Sequence, residues 1–273
     1  MHDTVATLVE RGWAHFLDGD LTAALADLSA ALEQDPAAAD AYVRRGAVWM
    51  AADRLEAAID DLTHAIDLGA ADAATYDLRG DALRAAGDLP AAHRDFSAAI
   101  DQDAGYVAAY HSRAAVNLML GDIRAAIADY SAVLQIAPDD AWTYLLRGNV
   151  RVASGDLPAA IEDYSTALRL DPANVVASTR RGDAHQAAGD LQAAVADYTE
   201  AITRDPRHSL AYLGRADAYA IASAHAAPSS QLRQYAGAAV ADYERYLELR
   251  PDAPDRARVE EALADLRPKS SPP

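Results

Sequence analysis

The sequence predicts an all-α protein of stacked helical hairpins, and three observations carry that prediction. The stretch "GDLPAAIEDYSTALRLDP" from Gly155 nearly reappears as "GDLPAAHRDFSAAIDQD" from Gly87 and as "GDLQAAVADYTEAITRDP" from Gly189, at offsets that are multiples of 34 residues. Hydrophobic residues make up 51% of the 273-residue chain, much of that fraction alanine, which has the best helix propensity and lets helices approach closely. Alternating β-branched runs, the raw material of sheets, are scarce. One hairpin cannot bury its apolar face alone, whereas stacked copies can.

Seven units begin near Val5, Ala39, Ala73, Val107, Ala141, Val175 and Ser209. Each opens with a helix that carries Tyr at position 4 in five units (Tyr42, Tyr76, Tyr110, Tyr144, Tyr212) and Arg-Gly or Arg-Ala at positions 7 and 8. A Gly-Asp pair then ends that helix and caps the next, at Gly19-Asp20, Gly87-Asp88, Gly121-Asp122, Gly155-Asp156 and Gly189-Asp190. Glycine supplies the helix-ending conformation and aspartate accepts from the free amides of the following turn. Pro90 and Pro158 fall in that first turn, where a missing N–H costs nothing. The second helix carries alanine at position 20 (Ala24, Ala58, Ala92, Ala126, Ala160, Ala194) and a large apolar or aromatic residue at position 24, from Leu28 to Tyr198. Small residues at positions 8 and 20 let the two helices close on each other.

In the seventh unit about eleven residues are inserted within 221–238, before Ala239. Eleven residues make close to three helical turns, so two longer helices joined near Pro228 keep the register of Asp242 and Tyr243. A capping helix is expected over 254–266, with Val259, Ala262, Leu263 and Leu266 on one face, followed by a disordered tail at 268–273. The whole of 1–267 reads as one domain.

The period and the small, aromatic and proline columns resemble the tetratricopeptide repeat, in a variety marked by Arg-Gly in the first helix and Asp-Tyr in the second. The resemblance covers residues 5 to about 253. It departs from the family at position 7, usually leucine and here always arginine, and at position 11, usually tyrosine and here varied. The resemblance implies a right-handed α-α superhelical solenoid whose concave groove is lined by the first helices. It implies binding through positions 2, 5, 6, 9, 12 and 13. Carried over residue by residue, these give His111, Leu118 and Met119 in the fourth unit, Trp142, Leu145, Leu146, Asn149 and Val152 in the fifth, and Arg180 in the sixth. An apolar centre with charged flanks suits a partner segment with a few apolar anchors. Trp142 and Leu145 could instead complete packing between repeats, and Met119 could belong to the core. One class of these repeats, which binds chaperone tails, clamps a terminal carboxylate with basic and asparagine residues at positions 5 and 6 of the early units; here those positions are Val9, Glu10, Val43 and Arg44, so that use is not expected.

Position 7 is Arg11, Arg45, Arg79, Arg113, Arg147, Arg181 and Arg215; position 23 is Asp27, Asp61, Asp95, Asp129, Asp163, Asp197 and, past the insertion, Asp242. Each lies eight residues from the turn at position 15, so the two meet at one height on antiparallel helices. A ladder of Arg–Asp pairs is expected. The other use of such a row, binding an anionic ligand, is disfavoured by the companion aspartate in every unit.

The net charge of -18 repels phosphate backbones and anionic membranes, so neither nucleic acid nor membrane is an expected partner. Without cysteine there is no thiolate chemistry and no cysteine-ligated metal. No phosphate loop, nucleophile elbow or H-E-x-x-H motif occurs, and the histidines are scattered. No catalytic residue, metal site or cofactor is assigned. The N-terminal stretch lacks a secretory pattern, which suggests a cytoplasmic protein. The function expected is a scaffold or adaptor that binds a neutral or basic protein segment. The competing expectation is a structural protein that self-associates into homo-oligomers through a terminal repeat, where Trp13, Phe16 and Leu17 gather, or through the groove.

Overall fold

The computed structural model describes residues 3–225 and 229–270, and among these every regular element is a helix. The chain divides into two compact units at Ile136 and Ala137. The first holds α1 (Val5–Leu17), α2 (Leu21–Gln34), α3 (Ala39–Ala51), α4 (Leu55–Asp67), α5 (Ala73–Ala85), α6 (Leu89–Gln102), α7 (Val107–Met119) and α8 (Ile123–Ile136). The second holds α9 (Ala141–Ala153), α10 (Leu157–Leu170), α11 (Val175–Ala187), α12 (Leu191–Arg204), α13 (Ser209–Ala224), α14 (Ser229–Leu249) and α15 (Arg256–Ser270). No described helix is long and apolar enough to cross a membrane.

Local chemistry sets the punctuation. After α9 the chain turns through Gly155 at φ 83°, a left-handed conformation that glycine adopts without steric penalty. Asp156 then accepts from the Ala159 amide at 3.3 Å, and its counterparts Asp20, Asp88, Asp122 and Asp190 do the same at 2.9–3.0 Å. The second helix stops at an aspartate that folds back on the chain: Asp171 Oδ1 accepts from the Ala173 amide at 3.1 Å. Asp72 and Asn174 cap the next first helix through the amides of Thr75 and Ala177. In the second hairpin the pattern lapses. Asp53 occupies the glycine position at φ 57°, and Arg54 stands at the cap position before α4 without a side-chain hydrogen bond to it.

Packing within a hairpin is set by the glycine of position 8, whose partner is chiefly position 24. A Cβ at Gly148 would lie 2.6 Å from the Tyr164 ring, and one at Gly80 or Gly182 would lie 2.7 or 2.8 Å from Phe96 or Tyr198. The alanines of position 20 are fully buried. Within each unit the odd-numbered helices of neighbouring hairpins touch one another, α1 with α3, α3 with α5 and α5 with α7, then α9 with α11 and α11 with α13. Each unit's odd-numbered helices therefore form a continuous layer.

The insertion lengthens both helices of the last hairpin, α13 to 16 residues and α14 to 21. Tyr219 and Tyr235 stack across them at 6.1 Å. Pro228, where the join was expected, lies outside the described residues. The terminal helix differs from its expected 254–266 span, since α15 starts at Arg256 and continues through Pro268 to Ser270. Arg267 reaches Glu244 of α14 at 2.8 Å and Lys269 pairs with Asp265 at 2.6 Å, which holds the last turn where a tail was expected from 268. Residues 271–273 lie outside the described set. Val259, Leu263 and Leu266 are buried with Tyr243 and Tyr246 of α14.

Candidate functional site

All seven arginines of position 7 meet the aspartate of position 23 in their own hairpin. Arg45 donates from Nε to Asp61 Oδ2 at 2.7 Å and from Nη2 to Oδ1 at 2.8 Å, and Arg79–Asp95 repeats these distances. Arg11–Asp27, Arg147–Asp163, Arg181–Asp197 and Arg215–Asp242 keep the same two-pronged geometry. At Arg113 the fork is skewed, with Nη2 on Asp129 Oδ1 at 2.6 Å and Nε shared between both oxygens at 3.2 Å, while Asn117 donates to Oδ2 at 2.9 Å. Two parallel charge-assisted hydrogen bonds make these strong pairs. The hydrogen bond to aspartate, outweighing burial, pushes the guanidinium pKa of Arg45, Arg79 and Arg215 further above its ordinary value.

The third nitrogen ties consecutive hairpins together. Nη1 of Arg45, Arg79 and Arg113 donates to Ser29, Thr63 and Ser97 of the preceding second helix at 3.0–3.2 Å, and Arg181 and Arg215 reach Ser165 and Thr199 likewise. The tyrosine of position 4 lies under the guanidinium of Arg45, Arg79, Arg113, Arg147 and Arg215, with Cζ 5.6–5.9 Å from the ring centroid. Position 11 supplies the aspartate's further partner in two hairpins, Asn117 at 2.9 Å from Asp129 and Arg151 at 2.8 Å from Asp163. In Arg45, Arg79, Arg113, Arg181 and Arg215 all three guanidinium nitrogens are thus engaged inside the protein, and no open fork faces an anion.

The candidate binding residues fall into two groups, one per unit. In the first unit Leu118 and Met119 are exposed at the end of α7, so Met119 is not core. His111 is half-buried with its ring 5.8 Å from Tyr130. In the second unit Trp142 is 57% exposed, which removes the packing alternative for it, while Asn149 and Val152 are also exposed and Leu146 is half-buried. Leu145 is a correction: it is 2% exposed and packed with Ala160, Tyr164 and Ala177, so it has no surface to offer a partner. Its position faces the second helix of the hairpin. Arg180 is exposed, 3.4 Å from Asp183.

Two cavities open on the odd-numbered layer of the second unit. One of about 340 Å³ is lined by Asn149, Val152, Tyr164, Arg180 and Asp183. The other, about 360 Å³, lies between α11 and α13 and includes Val176, Arg180, Asp183, Tyr198, Leu210 and Asp217. Tyr164 lines the first and Tyr198 the second, both at position 24. Tyr164 donates to Asn149 at 2.9 Å, Tyr198 to Asp183 at 2.8 Å and Tyr243 to Asp217 at 2.5 Å. Burial, first of all, pushes the Tyr164 hydroxyl up to about 12 and raises Tyr198 further, with Asp183 adding to the latter. Burial likewise lifts the Asp183 carboxyl above its usual range, and Asp217 contributes. Sequence reasoning passed over Val176, Leu210, Asp217 and the hydroxyl column Ser29, Thr63, Ser97, Ser131, Ser165 and Thr199. That column was visible at position 25.

Among the described residues, no group of three or more His, Asp or Glu side chains is arranged to hold a metal ion.

A family model described as tetratricopeptide repeat matches residues 9–73, 78–141 and 179–254, and a second, described as TPR repeat, matches 148–189. No curated protein matches the chain by sequence. Similar solved structures include the C-terminal part of a TPR repeat-containing protein from Cytophaga hutchinsonii, with TM-score 0.78 and 16% identity over 93% of this chain and 99% of that one. A tetratricopeptide repeat protein from Parabacteroides merdae gives TM-score 0.62 and 17% identity over 96% and 98%. YrrB, a TPR protein with an unusual peptide-binding site, gives 0.59 and 18% over 69% and 97%. At these identities the likeness is one of fold.

Proposed function

The chain belongs to the tetratricopeptide repeat family, and from that premise we propose that it is a non-catalytic scaffold or adaptor that binds a peptide or helix of a partner protein along its odd-numbered helices. Proteins built from this repeat generally mediate protein–protein interaction. The observation that carries the reading is a stripe at position 2 of three consecutive hairpins in the second unit: Trp142, Val176 and Leu210 are 57%, 48% and 47% exposed. A folded chain gains nothing from holding large apolar groups in water at a repeating position. An exposed apolar patch rimmed by polar groups is what a binding surface presents. The peptide-binding site of YrrB supports the same use of the fold. Leu118 and Met119 offer a second apolar patch in the first unit.

The test replaces Trp142 and Val176 together by glutamate and compares proteins co-purified from the native host with those held by unmodified protein and by Glu162→Ala on α10. Loss of the same partners with the double variant alone supports the reading; partners retained equally by all three exclude this face. Self-association is the competing function, favoured by exposed Leu17 beside the Trp13–Phe16 pair, whose centroids are 4.9 Å apart. Light scattering during size-exclusion chromatography decides it, since a monomer at every concentration removes it.

A further inference from the structure

Resting on the reading that a partner segment lies along the odd-numbered helices, we propose that the cavity between α11 and α13 is a subsite for one lysine or arginine side chain of that segment, flanked by apolar anchors on Val176 and Leu210.

The walls suit such a side chain along its length. Val176 and Leu210 stand exposed at the mouth, where the methylene stem of a lysine or arginine can lie against apolar surface while its charged head goes deeper. Inside, Asp183 and Asp217 line one space of about 360 Å³, and each already accepts from a tyrosine hydroxyl, Tyr198 and Tyr243 respectively. Their remaining partners are few. Asp183 Oδ2 has only Arg180 at 3.4 Å, a long contact between a half-buried carboxylate and an exposed guanidinium of one helix. Asp217 Oδ1 accepts from Arg258 at 3.0 Å, and Arg258 also turns to Asp255 at 3.3 Å. Asp217 Oδ2 accepts no hydrogen bond from the described residues.

The charges of the lining point to the sign of the ligand. Of the residues lining the cavity, Asp183 and Asp217 are carboxylates and Arg180 is a guanidinium, while Arg258 reaches Asp217 from outside the lining and is shared with Asp255, so the lining itself carries one negative charge in excess. One incoming cation neutralises it, and complementarity of this kind selects partners and sets register more than it adds raw affinity. His208, whose Nε2 is buried without a hydrogen-bond partner, lies on the same cavity wall. The stripe supplies the spacing. Directly packed helices lie about 8–10 Å apart, so an extended segment at roughly 3.3 Å per residue passes from one hairpin to the next in about three residues. An apolar residue within about three positions of the cation is therefore the expected pattern.

The experiment displays random 12-residue peptides, selects binders to the full chain, and measures an enriched peptide by fluorescence anisotropy alongside the same peptide with its lysine acetylated, or with arginine replaced by citrulline. The expected result is a shared Lys or Arg with an apolar residue within about three positions. Neutralising that cation weakens binding at least tenfold to unmodified protein and less than twofold to Asp217→Asn. Should Asp217→Asn fail to fold, the neutralised peptide against unmodified protein decides alone. Peptides that lose binding to Trp142→Glu/Val176→Glu but carry no cation, or bind as well when it is neutralised, overturn the subsite and leave the wider face standing. No enriched peptide, or binders indifferent to that double variant, overturns both.

Discussion

Replacing Asp95 by leucine strands Arg79, and the size of the loss follows from how that pair is held. The two side chains are 8% and 19% exposed, joined by hydrogen bonds of 2.7 and 2.8 Å. Breaking a fully buried pair by removing one partner costs about 3–5 kcal/mol. The partial exposure of Arg79 and its bond to Thr63 at 3.1 Å move the expected loss for Asp95→Leu to about 3 kcal/mol. Arg79→Leu strands the more deeply buried Asp95 and loses about as much. The double variant places two apolar side chains in the same space and loses only about 1 kcal/mol, because no uncompensated charge remains. The interaction energy across the cycle is then well above about 2 kcal/mol. Urea unfolding followed by far-UV circular dichroism measures it, with hydrogen exchange on α5 and α6 alongside, since stacked repeats need not unfold as one cooperative unit. A double variant whose loss equals the sum of the singles to within about 0.5 kcal/mol would refute the pairing as the reason for an arginine at position 7.

Three further outcomes are expected. Asp53→Gly with Arg54→Asp restores the missing turn of the second hairpin; relief of a left-handed non-glycine residue and a new helix cap together stabilise by about 2 kcal/mol, read as a higher urea midpoint. Gly148→Ala destabilises by about 1–2 kcal/mol despite the better helix propensity of alanine, because its Cβ meets the buried Tyr164 ring at 2.6 Å; an unchanged melting temperature would contradict that contact. The Asp77 carboxyl is raised to about 6, by burial first and then by Asp81, so the folded state holds its proton more tightly than the unfolded chain and Asp77 subtracts stability as pH climbs through that range. Asp77→Asn should therefore stabilise the protein at pH 7.5 by about 1–2 kcal/mol and hardly at pH 4, and equal melting shifts at both pH values would contradict the reading.

The hairpins were legible because each signal is local and repeats: glycine at the turn, aspartate at the cap, and an arginine whose companion lies 16 residues on. Register did the work that a single copy could not. What escaped was anything decided by orientation. Leu145 shares a hydrophobic character with Trp142 three residues away, yet one faces α10 and the other water. Val176 and Leu210 went unremarked because an isolated valine or leucine in a helical pattern reads as core, and only their shared position 2 beside Trp142 marks a stripe. Position 11 read only as a departure from the family's tyrosine, yet in two hairpins, through Asn117 and Arg151, it supplies the aspartate with a further partner. The extension of α15 past Pro268 rests on Arg267 and Lys269 reaching carboxylates, contacts that a proline-rich ending conceals.

The most direct measurement places a photo-crosslinking amino acid at Trp142 in cells of the native host, with the same label at Glu162 on α10 as control, and identifies the attached peptides by mass spectrometry. A partner segment joined at 142 and absent at 162 is the result expected. Identical adducts at both positions, or adducts at 162 alone, would contradict a partner lying along the odd-numbered helices.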